Sequence, residues 1–198
     1  MRLLEGYDDV VMDLANSGVG YTAALLILSE DEGNQTDGLR IMTMLAQVDR
    51  TQMVRILLYH HDIKDTKVWA RLLQTDHYKK SGNLLMRRYY YAVFEGVFSH
   101  AESDHIQELL LNMHPSQGDL FTWIGECLAT EEDYLILESA MNMLTSVLYY
   151  NCADVIHRLE LESIPKNLVE ITKMENEKVV QKATVILAGI AQAREHVV

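Results

Sequence analysis

ESAMNMLTSVL (138–148), laid over QKATVILAGIA (181–191), decides how this chain folds. Ala140 meets Ala183, Leu144 meets Leu187 and Val147 meets Ile190, each pair 43 residues apart. Within each stretch the matched residues follow a four-then-three spacing, which is one face of an α-helix. RYYYAVFEGVF (88–98) brings Tyr90, Phe94 and Val97 into the same column, 50 residues before 140–147. TDGLRIMTMLA (36–46) brings Gly38, Met42 and Leu45, a further 52 residues earlier. An apolar column that recurs at nearly constant period is the mark of a repeat protein, and loop length absorbs the drift from 43 to about 50.

Outward from these columns, the chain reads as triplets of helices, each column on the third member. Apolar periodicity predicts helices over 4–15, 21–29 and 35–48; over 50–60, 66–76 and 83–99; over 103–113, 119–129 and 132–150; and over 153–161, 165–174 and 177–193. Short polar stretches separate them: SEDEGNQTD (29–37), YKKSG (78–82), ATEED (129–133) and KMENE (173–177). Glu131, Glu132 and Glu175 stand where third helices open, at the positive end of the helix dipole. Only 2 Pro and 10 Gly occur in 198 residues, too little punctuation for a sheet or sandwich. Both prolines, Pro115 and Pro165, fall at expected helix starts. The expected architecture is all-α, a continuous solenoid of four repeats near 1–48, 49–99, 100–150 and 151–198. It is one domain, because a single three-helix unit cannot bury its own apolar faces. Predicted helices run close to both termini, as in a domain of a longer chain.

SIPKNLVEITKMENEKVVQKATVILAGIA (163–191) resembles an armadillo repeat. An Ile-Pro opens the second helix, a Leu-Val pair follows, and Val-x-x-x-Ala-x-x-x-Leu runs along the third. LFTWIGECLATEEDYLILESAMNMLTSVL (120–148) is similar but lacks the Ile-Pro, and the first two repeats are degenerate. Armadillo and HEAT patterns grade into each other. The resemblance implies a right-handed α-solenoid whose third helices line a groove for extended peptides. In importin- and catenin-like members an Asn on each third helix grips the peptide backbone. Here that position holds Met44, Gly96, Ser146 and Gly189, so the bidentate amide is missing. A nuclear-signal receptor of the usual kind is therefore not expected, and a groove must bind through other side chains.

Helical spacing supplies them. Positions four and eight residues before the ladder position share its face: Arg40 and Thr36, Ala92 and Arg88, Asn142 and Glu138, Val185 and Gln181. Tyr91, Glu95, Tyr149 and Lys178 flank that face. Tyr and Arg combine area with a directional polar tip, which makes Arg87–Tyr91 the sharpest local feature. Two of its three tyrosines must still be core, Tyr90 the clearest. The expected partner-binding groove is thus Arg40, Arg88, Tyr91, Glu95, Glu138, Asn142, Tyr149, Lys178 and Gln181.

No catalytic set accompanies this face. Neighbouring residues on a helix point about 100° apart, so His60, His61 and Asp62 do not converge on one ion. His100, Glu102, Asp104 and His105 read as a loop cluster. GVGYTA (18–23) imitates a dinucleotide fingerprint without the βαβ unit it requires, and reads as a helix–helix turn. No GxSxG, HExxH or kinase element occurs. Cys127 lies on an apolar face between Trp123 and Leu128, where thiols are inert, and the 10 methionines read as core filler. No enzyme activity, cofactor or metal is expected.

Lys plus Arg number 17 and Asp plus Glu 29, a net charge of −12, which disfavours nucleic acid and anionic lipid alike. The longest apolar run, AALLIL (23–28), is too short for a bilayer, and acids interrupt the first apolar stretch, unlike a signal peptide. Two cysteines, Cys127 and Cys152, make no disulfide framework, so a reducing compartment, cytoplasm or nucleus, is expected. The function that follows is a non-catalytic interaction scaffold or adaptor. It would take a peptide or helix from a partner protein, one the acid excess would favour if basic. The alternative is a chaperone cofactor of the nucleotide-exchange type, which four-repeat armadillo proteins also serve. The apolar ends of a solenoid add a homodimer through an end face.

Overall fold

A computed structural model describes residues 18–48, 76–100, 120–149, 153–161 and 163–197. The helices expected over 4–15, 50–60 and 103–113 lie outside the described residues, as does the one over 66–76 apart from Asp76. So do Pro115, Cys152, and the His60–Asp62 and Glu102–His105 groups. Among the described residues no strand occurs.

The helices are α1 (Val19–Ile27), α2 (Glu32–Val48), α3 (Asp76–Lys79), α4 (Leu84–His100), α5 (Leu120–Thr130), α6 (Tyr134–Tyr149), α7 (Ala153–Leu161), α8 (Ile164–Ile171) and α9 (Glu177–Val197). Where starts differ from expectation they do so by one to three residues, and two of the differences have a visible local cause. The GVGYTA turn is confined to Gly18, at φ 85°, and α1 begins at the next residue with Gly20 buried inside it. That φ lies in the left-handed region, which glycine enters without a Cβ penalty. The SEDEGNQTD loop ends at Asp31, because its Oδ1 accepts the Asn34 N–H at 2.8 Å and starts α2 at Glu32. Pro165 stands in the first turn of α8, where its missing N–H is no loss.

The helices expected third in each repeat, α2, α4, α6 and α9, open by the same device. Asp31 caps α2; Asn83 Oδ1 accepts the N–H of Met86 at 3.2 Å, Asp133 Oδ1 that of Ile136 at 3.2 Å, and Asn176 Oδ1 that of Val179 at 3.2 Å. Each satisfies an orphan donor of the first turn. The caps lie 52, 50 and 43 residues apart, the very offsets of the apolar columns. Every column residue is buried except Leu187, which is half-buried. Cap and column agree because the cap fixes where the helix starts and so which residues turn inward.

The chain divides into two compact units, Met1–His105 and Ile106–Val198. In the first, α2 packs against both α1 and α4. A Cβ on Gly38 would stand 2.8 Å from Ala23 O and Ile27 N, and one on Gly96 would stand 2.5 Å from Ala46 Cβ, so glycine sets both approaches. The Thr43 hydroxyl donates to Leu39 O at 2.9 Å and lies 3.3 Å from Tyr89 O, joining α2 to α4. In the second unit α6 packs on α9, and α8 on α5 and α9. Asn167 Nδ2 donates to Gly125 O at 2.9 Å, joining the second helices of successive triplets. The Arg158 guanidinium sits 5.6 Å from the Phe121 ring centroid, tying α7 to α5 by a cation–π contact.

Candidate functional site

Third-helix positions that neither cap nor fill the column are the ones left for a ligand, and the two units use them differently. In the first unit Arg40 is exposed on α2, and Arg88 and Glu95 are half-buried on α4. Tyr91, expected on the binding face, is 3% exposed. Its ring meets Tyr90 edge-on at 5.6 Å; Tyr90 stacks on Tyr78 at 5.7 Å and meets Phe94 at 4.9 Å. Tyr91 is thus an aromatic core residue. Gly96, the ladder position of this helix, is buried against Ala46 as well. The cause is that α4 packs on both α2 and α3, so its inward face is wider than a single column.

A polar chain runs between α2 and α3, with Gln35 and Tyr78 buried and His77 exposed. Gln35, 5% exposed, donates from Nε2 to Ser29 O at 2.6 Å. Its Oε1 faces His77 Nε2 at 2.7 Å. Because the Gln35 amide nitrogen is committed to a carbonyl, its oxygen accepts and His77 Nε2 carries the proton. The Tyr78 hydroxyl donates to Ile27 O at 2.8 Å, satisfying a carbonyl of the last turn of α1. Sequence reasoning missed this chain, since nothing local pairs residues 42 and 51 positions apart.

The second unit brings predicted residues together. Glu138 and Asn142 are one helical turn apart on α6, and Lys178 is on the first turn of α9. Lys178 Nζ lies 2.9 Å from Glu138 Oε1, and Lys182 Nζ lies 3.0 Å from the same oxygen. Lys182 Nζ also donates to Asn142 Oδ1. Lys182 was not among the expected residues, although its spacing of four from Lys178 was the available signal. Burial alone would raise the Glu138 carboxyl, but the two ammonium groups outweigh it and hold the group below its ordinary 4.5. Gln181 is exposed beside the network, and Tyr149 closes α6 with its side chain outside the described residues. Two apolar side chains flank the polar cluster in water: Leu135 of α6, 54% exposed, and Val185 of α9, 62% exposed.

Among the described residues no group of three or more His, Cys, Asp or Glu could hold a metal ion, and Cys127 is buried. No described helix is long and apolar enough to cross a membrane.

No family model matches the sequence, and no curated protein does. Solved structures do. A designed armadillo repeat protein superposes with a TM-score of 0.69 at 14% identity, over 92% of this chain and 69% of its own. An engineered protein gives 0.71 at 16% identity over 95% of this chain, which spans only 42% of that protein's length. A designed armadillo repeat protein in complex with the peptide (KR)4 gives 0.56 at 12% identity, over 92% of this chain and 86% of its own. These likenesses establish the fold.

Proposed function

From an all-α, armadillo-like fold as premise, we propose that this chain is a non-catalytic scaffold that holds an extended segment of a partner protein on its third-helix face. The carrying observation is the α6–α9 surface. Glu138, Asn142, Lys178 and Lys182 meet across two successive third helices, with Leu135 and Val185 exposed beside them. Directional polar groups flanked by apolar area are what a peptide reads through its backbone and its alternate side chains. The structural neighbour in complex with (KR)4 is a precedent for peptide capture by this fold. A reducing compartment, cytoplasm or nucleus, suits a chain with only two cysteines.

Selection of a random peptide library on the full chain tests the reading. Wild type is expected to enrich related sequences whose binding is lost in the surface variant Leu135→Arg/Val185→Arg. Both positions are exposed, so this variant keeps its helical signal. Enrichment of nothing, or binding indifferent to the double variant, refutes it.

A further inference from the structure

Resting on that reading, we infer that the segment held on the α6–α9 face is acidic, an extended peptide presenting Glu or Asp side chains. This runs against the charge of the whole chain, which at −12 would draw basic partners. What a bound peptide meets is local. At physiological ionic strength charges farther than ~8 Å are largely screened. On this face two ammonium groups surround one carboxylate, and that carboxylate is already taken. Glu138 accepts from Lys178 at 3.1 Å through Oε2 and from Lys182 at 3.0 Å through Oε1.

An arginine or lysine of a peptide would have to displace one of these ammonium groups to reach the carboxylate, and would meet the other as a like charge. A peptide carboxylate meets the opposite situation. The Lys178 side chain is 74% exposed, and an ammonium has three hydrogens, so donors remain for a second acceptor while the first is kept. Besides Glu138, the acids carried by α6 and α9 are Glu177, in the first turn of α9, and Glu195, near its carboxyl-terminal end. Ahead of α6, Glu131 Oε1 accepts the N–H groups of Glu132 and Asp133. The carboxylates of Glu131 and Glu177 serve helix N-termini, which favour negative charge. Val185 and Leu135 give the apolar contact for a side chain two residues from an acidic one, since every second side chain of an extended peptide points to the same face.

The test is fluorescence polarisation on the full chain with two labelled peptides, one repeating Glu-Ser-Leu-Ser and one (KR)4, at near-physiological salt. The acidic peptide is expected to bind. Lys178→Glu should weaken it about tenfold or more, with Lys178→Gln intermediate, since reversing one close charge costs at least a factor of this order. Tighter binding of (KR)4, lost in the Leu135→Arg/Val185→Arg variant, would overturn the acidic assignment while leaving the peptide-holding function standing. Acidic binding unchanged by Lys178→Glu also overturns the assignment. If neither peptide binds and the library enriches nothing, both readings fall.

Discussion

Alanine at two equivalent glycines should change stability in opposite directions. Gly96 and Gly189 occupy the same ladder position of α4 and α9. In a helix interior Gly→Ala gains roughly 0.5–1 kcal/mol, because glycine loses more backbone entropy on folding. At Gly189 nothing opposes that gain: the added Cβ would meet only Leu148 Cδ1, at 3.9 Å. At Gly96 the Cβ would lie 2.5 Å from Ala46 Cβ, against an optimal carbon–carbon separation of about 3.5–4.0 Å. Ala46 has no rotamer to yield, so α4 must draw away from α2 by roughly 1 Å, which loosens neighbouring contacts. Overpacking of this kind costs about 1–3 kcal/mol and outweighs the propensity gain. Gly96→Ala should therefore lose roughly 1–2 kcal/mol, and Gly189→Ala should gain up to about 1. Urea denaturation followed by far-ultraviolet circular dichroism, with midpoints compared at equal slope, reads both. Midpoints that move in the same direction would show that the α2–α4 approach is not what the glycine serves.

Leu144 is fully buried in the α6 column, and Leu144→Ala should cost about 2–5 kcal/mol in the same assay; a loss under about 0.5 would mean the column is misplaced. Asp133→Ala removes the cap of α6 and should cost roughly 1 kcal/mol, while Asp133→Asn, which keeps the acceptor, should cost far less. Glu138 has a folded pKa below its ordinary value, so its contribution is present above pH 4.5 and disappears as acid takes the pH down through the folded pKa. Denaturation midpoints of wild type and Glu138→Gln should therefore differ near neutrality and converge in acid; a gap that widens on acidification contradicts the lysine assignment.

The third helices were legible because two independent signals coincide in them. Gly38, Tyr90, Ala140 and Ala183 head the apolar columns, and each follows an Asp or Asn cap by seven residues. A cap is a local side chain-to-backbone event and a column is a period, so both are written in a single strand of sequence. Tyr91 was misplaced because its burial depends on how many neighbours α4 has, and a one-dimensional period cannot count neighbours. The Gln35–His77 bond was invisible for the same reason. Lys182 lay between these cases: its spacing from Lys178 mirrors that of Asn142 from Glu138, but seeing the match requires α6 and α9 side by side.

That division bears on where function can lie. Caps and columns correspond in α2, α4, α6 and α9, while the positions beside them do not. Thr36, Arg88, Glu138 and Gln181 share one register, and Arg40, Ala92, Asn142 and Val185 the next. Positions that the fold leaves unconstrained are free to differ, and on α6 and α9 they hold charged and apolar groups together. Stability gives little reason for the arrangement. Ion pairs with an exposed partner, such as Lys178, contribute no more than about 1 kcal/mol, and Val185, 62% exposed, leaves most of its apolar area in water in the free protein. Held in fixed geometry by two helices whose starts are pinned at Asp133 and Asn176, the same groups gain their value when a second chain covers them, excludes water and takes up the remaining donors.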